Sequence, residues 1–124
     1  MFDWTEYLNL ANSLAGPKSS PSINEAQLRT AISRAYYANY CIARNHLRDK
    51  EGHAVPRADA HKYVIDQFRN SSERERRDLG KDLDRLKNWR QFADYENQYP
   101  GQIGPATRVA LTLADQVVVK LKNL

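Results

Sequence analysis

The stretch Leu79–Glu96, LGKDLDRLKNWRQFADYE, decides the fold. Leu79, Leu83, Leu86 and Ala93 recur at spacings of three, four and seven, which marks one face of a helix. Arg90 falls on that same face, and Asp94 stands one turn beyond it at the i+4 position. A seam that should be apolar therefore carries a guanidinium and a carboxylate. Two readings follow. Arg90 and Asp94 form an internal ion pair that fixes helix packing, or Arg90 opens onto a cleft where it meets an anion.

Outward from this seam the chain reads as helices joined by short connections. Upstream, ERERRD alternates in charge, and Arg74, Arg77, Lys81 and Arg85 make a stripe read as a solvated face beside Asp78 and Asp82. Ser72-x-x-Glu75 has capping-box spacing, and Gly80 marks either a restart of the helix or a close approach by a neighbour. Downstream, NQYPGQIGP ends the seam helix, and Pro105 suits the first turn of a last one. Val109, Ala110, Leu113, Ala114, Val117, Val118 and Leu121 give that helix a broad apolar face.

The N-terminal half supplies three more helices. Phe2–Ala15 places Trp4, Tyr7, Leu8, Ala11 and Ala15 on one side, and Gly16-Pro17 stops it. After a polar KSSPS connection, Ser22 and Glu25 form a capping-box pattern ahead of a long helix from about Asn24 to about Lys50. Leu28, Ile32, Ala35, Tyr36, Ile42, Ala43 and Leu47 make its main apolar band. Beside it runs a band of small residues, Ala31, Ala38 and Cys41, interrupted by Arg34. Arg34 is thus a second arginine near a packing face, either paired with an acid on a facing helix or converging with Arg90 around an anion. Tyr36, Tyr37 and Tyr40 crowd the same turns, as core or dimer contacts or as a stacking surface for bases. Asp59 is the expected N-cap of a short helix over Ala60–Arg69, with Val64, Ile65 and Phe68 inward and His61 on the same side. No segment alternates with period two, so the expected fold is all-α, an antiparallel bundle of four to five helices in one domain over residues 1–124.

Composition narrows the function without naming it. The net charge of +4 permits an anionic partner but does not require one. Cys41 is the only cysteine, so no intramolecular disulfide forms, and no Cys/His cluster has zinc-ligand spacing; neither metal nor cofactor is expected. The N-terminus lacks a basic region followed by a long apolar run, and no segment approaches the roughly 20 apolar residues a membrane span needs, so a cytoplasmic protein is expected. Arg48 and His53 are separated by four residues but straddle a helix end and a glycine loop, and their spacing is read as coincidence.

Two stretches resemble the HEPN family of small helical-bundle domains. One is Ala31-Ile-Ser-Arg-Ala-Tyr-Tyr-Ala38, similar to an SRAYYA-type run on that family's long second helix. The other is Leu83-x-x-Leu86-x-x-x-Arg90-x-x-Ala93-Asp94-Tyr95, similar to a pattern of one of its branches. The resemblance spans about Ser22 to Leu124, and His61 also fits it. It implies a helical bundle that pairs as a homodimer, with the motif arginines lining a cleft. Many relatives are metal-independent ribonucleases that use an arginine followed, after four to six residues, by a histidine. Several act beside a minimal nucleotidyltransferase (MNT) in toxin–antitoxin pairs. Here Gln-Phe-Ala-Asp-Tyr-Glu-Asn follows Arg90, with no histidine at nuclease spacing. Proton exchange near neutral pH is what that histidine would supply. Asp94 is a poor substitute, because a neighbouring Arg90 favours its charged form. The resemblance thus implies a protein binding nucleotide or RNA phosphate through Arg34, Tyr37, His61, Arg90, Asp94 and Tyr95, partnered by an MNT-type enzyme. The alternatives are a ribonuclease toxin working through Arg90 and Asp94, and a structural dimer or adaptor. In some relatives a tyrosine near the motif end accepts an adenylyl group, a role that carries over only weakly to Tyr95.

Overall fold

A computed structural model describes residues 1–16 and 24–124. They form five helices, α1 (Thr5–Ala15), α2 (Glu25–Glu51), α3 (Ala60–Arg69), α4 (Arg74–Tyr95) and α5 (Ile103–Lys122), with no strand among the described residues. The all-α bundle expected from periodicity is what is observed. α2 is the central element and packs against each of the other four.

The helix ends show where local chemistry departs from the sequence reading. α1 begins at Thr5 rather than Phe2, because the Asp3 carboxylate accepts from the Thr5 backbone N–H at 3.0 Å and from its hydroxyl at 2.6 Å. Phe2 and Trp4 are thereby left outside the helix, where they pack edge-to-face with each other and with Tyr7. Pro17, the KSSPS connection and Ser22 lie outside the described residues. The capping box that starts α2 is made by Asn24 and Gln27, each side chain accepting from the other's backbone N–H at 2.9 and 3.3 Å. Glu25 is simply the first helical residue. α2 stops at Gly52, whose φ of 73° is open to glycine at little cost.

Asp59 precedes α3 as expected, but with φ 54° and no side-chain bond into the helix, so it turns the chain rather than capping it. The expected Ser72/Glu75 box is absent. Ser71 instead accepts from the Glu73 N–H at 3.1 Å, and Arg77 folds back onto the Ser71 and Ser72 carbonyls. α4 runs unbroken through Gly80, which excludes a restart there. A Cβ at that position would stand 2.7 Å from the Arg69 Cα and overlap the Arg69 backbone nitrogen, so the glycine lets α3 and α4 touch.

The core forms as the seam predicts. Leu79, Leu83, Leu86, Arg90 and Ala93 are buried along α4. Ala31, Ile32, Ala35, Tyr36, Ala38, Ala43 and Leu47 are buried along α2, whereas Ile42 is only partly covered. On α5 the apolar face is narrower than expected, since Val109 is 52% exposed. Asn39, fully buried on α2, donates to the Ala114 carbonyl at 3.1 Å and ties α2 to α5. Arg29 reaches the Ala93, Glu96 and Asn97 carbonyls and so closes the C-terminal end of α4. Arg108 does the same for α1 through the Ala15 and Gly16 carbonyls.

Candidate anion-binding cleft

Between α1, α2, α3 and α4 the bundle opens into a cleft of about 710 Å³. α2 supplies one wall through Arg34, Tyr37, Cys41 and Arg44, which recur at i, i+3, i+7 and i+10 and therefore share a stripe. Tyr40 stands beside that stripe. α4 contributes Lys87 and Arg90, one turn apart. Arg57, Asp59, His61 and Lys62 come from the loop before α3 and its first turn. Trp4 and Tyr7 close the side formed by α1. Arg34, Arg44, Arg57, Lys62, Lys87 and Arg90 thus line the cleft with one carboxylate, Asp59, while Lys62 is paired at 2.7 Å with Asp66 outside the lining.

The two arginines singled out from sequence do converge. Arg90 is 7% exposed, and its guanidinium lies over the rings of Tyr36 and Tyr37 at 5.3 and 5.4 Å. Arg34 lies over the Tyr37 ring at 4.8 Å and the Tyr7 ring at 5.2 Å. Tyr37 therefore touches both guanidiniums and offers each its negative face. Ser33 adds a polar link: its hydroxyl accepts from Arg34 Nη2 at 3.3 Å and donates to Asp94 Oδ2 at 3.2 Å. Asp94 Oδ2 in turn stands 3.7 Å from Arg90 Nη1. That separation is an ion pair without a hydrogen bond. Arg90 Nε is buried with no partner among the described residues. No carboxylate among the described residues lies within salt-bridge distance of Arg34, Arg44, Arg57 or Lys87. The expectation that Arg34 pairs with an acid on a facing helix is not met. Arg44 instead meets Trp4 and Tyr40 through their rings, at 5.7 and 5.9 Å.

His61 belongs to this cleft. Its ring stacks on Tyr40, with centroids 3.8 Å apart, and its Nδ1 is 2.6 Å from the Tyr36 hydroxyl. Burial, and then the positive charges of Arg90, Lys87 and Arg44, hold the imidazole below the ordinary histidine range. Burial pushes the Tyr36 phenol well above the usual tyrosine range, with Arg90 opposing. Burial also raises the Cys41 thiol against the pull of Arg44 and Arg34.

Not every expected site residue reaches the cleft. Arg34, Tyr37, His61 and Arg90 line it. Asp94 stands behind the Arg90 guanidinium and acts on the cleft only through Arg90 and Ser33. Tyr95 is 73% exposed, with its ring 5.9 Å from Arg90. Tyr40, read from sequence as a core, dimer or base-stacking residue, also lines the cleft, whereas Trp4, Tyr7, Arg44, Arg57, Lys62 and Lys87 were not singled out as site residues. The Arg34-to-Arg44 stripe on α2 was the signal that could have found Arg44. Arg48 and His53 stand outside the cleft, paired with Asp49 and with the Tyr63 hydroxyl. Among the described residues no group of His, Cys, Asp and Glu could hold a metal, and no helix is long and apolar enough to cross a membrane. Comparison with family models, with curated proteins and with solved structures finds no match.

Proposed function

We propose that this cleft binds the phosphate groups of a nucleotide or of RNA, as the HEPN resemblance implies. The carrying observation is the charge set: among the described residues Arg34, Arg44, Arg57 and Lys87 have no carboxylate within salt-bridge distance, and they gather with the loosely paired Arg90 in a concave site walled by Trp4, Tyr7, Tyr37 and Tyr40. Like charges gathered in this way repel unless an anion lies among them. Rings beside the cations suit a ligand that joins phosphate to a flat base. The chain works in the cytoplasm as one half of a homodimer, beside an MNT-type nucleotidyltransferase in a toxin–antitoxin-like module. The open cleft, and the absence of an acid within salt-bridge distance of Arg34 among the described residues, count against a purely structural adaptor. Titration calorimetry with tripolyphosphate, ATP and a short RNA tests the reading. Affinity should fall with rising salt, in proportion to the number of phosphates neutralised. A lack of saturable binding by all three at low salt would refute it.

A ribonuclease reading is favoured by one observation: His61 brings an imidazole into the cleft that holds Arg90. RNA cleavage that persists in a chelator and disappears in His61→Ala supports it. Intact RNA at high enzyme concentration excludes it.

A further inference from the structure

His61 meets the cleft with one edge of its ring already engaged. Nδ1 lies 2.6 Å from the Tyr36 hydroxyl, and the ring lies flat on Tyr40 with planes 5° from parallel. Tyr36 is fully buried, and His61 is the partner its hydroxyl has among the described residues. If Nδ1 carried a hydrogen, the phenol's own hydrogen would turn into packed core without an acceptor. The other arrangement satisfies both groups. The phenol donates, Nδ1 accepts, and the ring hydrogen stands on Nε2.

We infer that the buried Tyr36 hydroxyl locks His61 in its neutral, Nε2-protonated form, so that the imidazole offers the cleft a fixed N–H donor for an anionic oxygen. The donor role rests on the reading of the cleft as an anion site. The groups around the ring agree with it. Arg44 faces it from α2 and Lys87 and Arg90 from α4; Asp59 also lines the cleft, and the adjacent Lys62 is paired with Asp66 at 2.7 Å. An imidazolium among these cations would be disfavoured, whereas a neutral donor adds a contact without adding repulsion. The lock also bears on catalysis. An Nε2 that holds its hydrogen cannot accept the proton of a 2′-hydroxyl, so His61 recognises phosphate rather than acting as a general base. Tyr36 is accordingly a positioning residue that acts through His61.

Nitrogen-15 NMR of the His61 side chain in the full chain, at pH 6.5 with and without tripolyphosphate, tests this. The expected spectrum shows Nε2 protonated and Nδ1 bare in both states. Tyr36→Phe should mix the two tautomers and weaken tripolyphosphate binding about threefold to tenfold. His61→Gln, whose amide nitrogen reaches the Nε2 position, should keep affinity within about threefold, while His61→Leu loses about tenfold or more. An Nδ1-protonated or doubly protonated ring in the wild type overturns the lock, whether or not tripolyphosphate binds. Equal losses in His61→Gln and His61→Leu overturn the donor role. Failure of tripolyphosphate to bind a wild-type protein that shows the expected spectrum overturns the anion site and the donor role together. If Tyr36→Phe does not fold, the wild-type spectrum and the two His61 variants still decide.

Discussion

Replacing Arg90 by methionine should separate stability from binding. Arg90 is 7% exposed, and among the described residues its Nε has no partner and its nearest carboxylate oxygen is 3.7 Å away. An orphaned buried N–H costs about 1–3 kcal/mol. Removing one member of a buried ion pair is usually damaging, because it strands the other charge. Here the charge left behind is not stranded, since the Asp94 side chain is 26% exposed and still accepts from Ser33. Methionine keeps the stem and fills the space against Tyr36 and Tyr37. What is lost is contact with three rings, those of Tyr36, Tyr37 and Tyr95, at centroid distances of 5.3, 5.4 and 5.9 Å and worth roughly 0.5–2 kcal/mol in all, and a loose ion pair. What is relieved is the orphan N–H together with repulsion from Lys87 and Arg34. The ligand-free variant should therefore match or exceed the wild type, by up to about 1.5 kcal/mol. For a 124-residue chain that corresponds to roughly 6 °C in Tm. Tripolyphosphate affinity should fall about tenfold to a hundredfold, the value of a charge-assisted hydrogen bond. Thermal melts and titration calorimetry on the two proteins supply both numbers. A variant that melts several degrees below the wild type without ligand, and binds as tightly as before, would show Arg90 to be a structural ion-pair partner and refute the reasoning.

Other perturbations have definite expected outcomes. Gly80→Ala gains up to about 1 kcal/mol of helix propensity, yet its Cβ would overlap the Arg69 backbone, an overpacking cost of about 1–3 kcal/mol or more; urea melts should show net loss, while Gly104→Ala, where a Cβ meets nothing, should not be destabilising. Burial alone would raise the Glu51 carboxyl, but hydrogen bonds from Arg76 and His46 outweigh it and hold it below the usual glutamate range. That stabilisation is complete above the unfolded glutamate value and is lost as pH falls through the lower folded one, so Glu51→Gln should lower Tm at pH 7 and differ little from wild type near pH 3. Arg29→Met leaves the Ala93, Glu96 and Asn97 carbonyls without their donor and should speed hydrogen exchange in the last turn of α4.

What could be read in advance follows from the range of the interactions. The α4 seam was legible because a period of 3.6 is a property of one segment, and an arginine on that seam is buried wherever the helix docks. The convergence of Arg34 and Arg90 was readable for the same reason, each lying near a packing face. The remaining wall of the cleft was not. Trp4 and Tyr7 reach Arg44 and Arg34 only because α1 packs on α2 in one particular register. Arg57 and Asp59 sit in a loop whose path turns on the φ of 54° at Asp59, a conformation its residue type permits but does not announce. The start of α1 and the caps of α2 and α4 were misassigned, although α2 and α3 begin within a residue of where they were expected, because several residue pairs offered plausible caps. Asn24 with Gln27 formed one, and Asp3 captured Thr5 two residues beyond it.

The way the cleft holds its arginines bears on what it can do. An arginine bound bidentately to a carboxylate has its fork of donors occupied, and an incoming phosphate must displace that partner. An arginine held against a ring is positioned by its flat face, and its N–H edges stay free for an acceptor. Arg34, Arg44 and Arg90 lie against the Tyr7, Tyr36, Tyr37, Tyr40 and Trp4 rings, and the other partners of Arg34 and Arg44 are neutral: Arg34 gives one N–H to Ser33, and Arg44 gives two to the Asn45 amide oxygen. The aromatic residues thus order the cations without neutralising them. Ordering lost in advance is not lost again on binding, so such a site gains affinity from preorganisation. Substituting a carboxylate for Tyr37 would pair both guanidiniums and relieve their repulsion. The same change would fill the cleft with the charge it is built to receive.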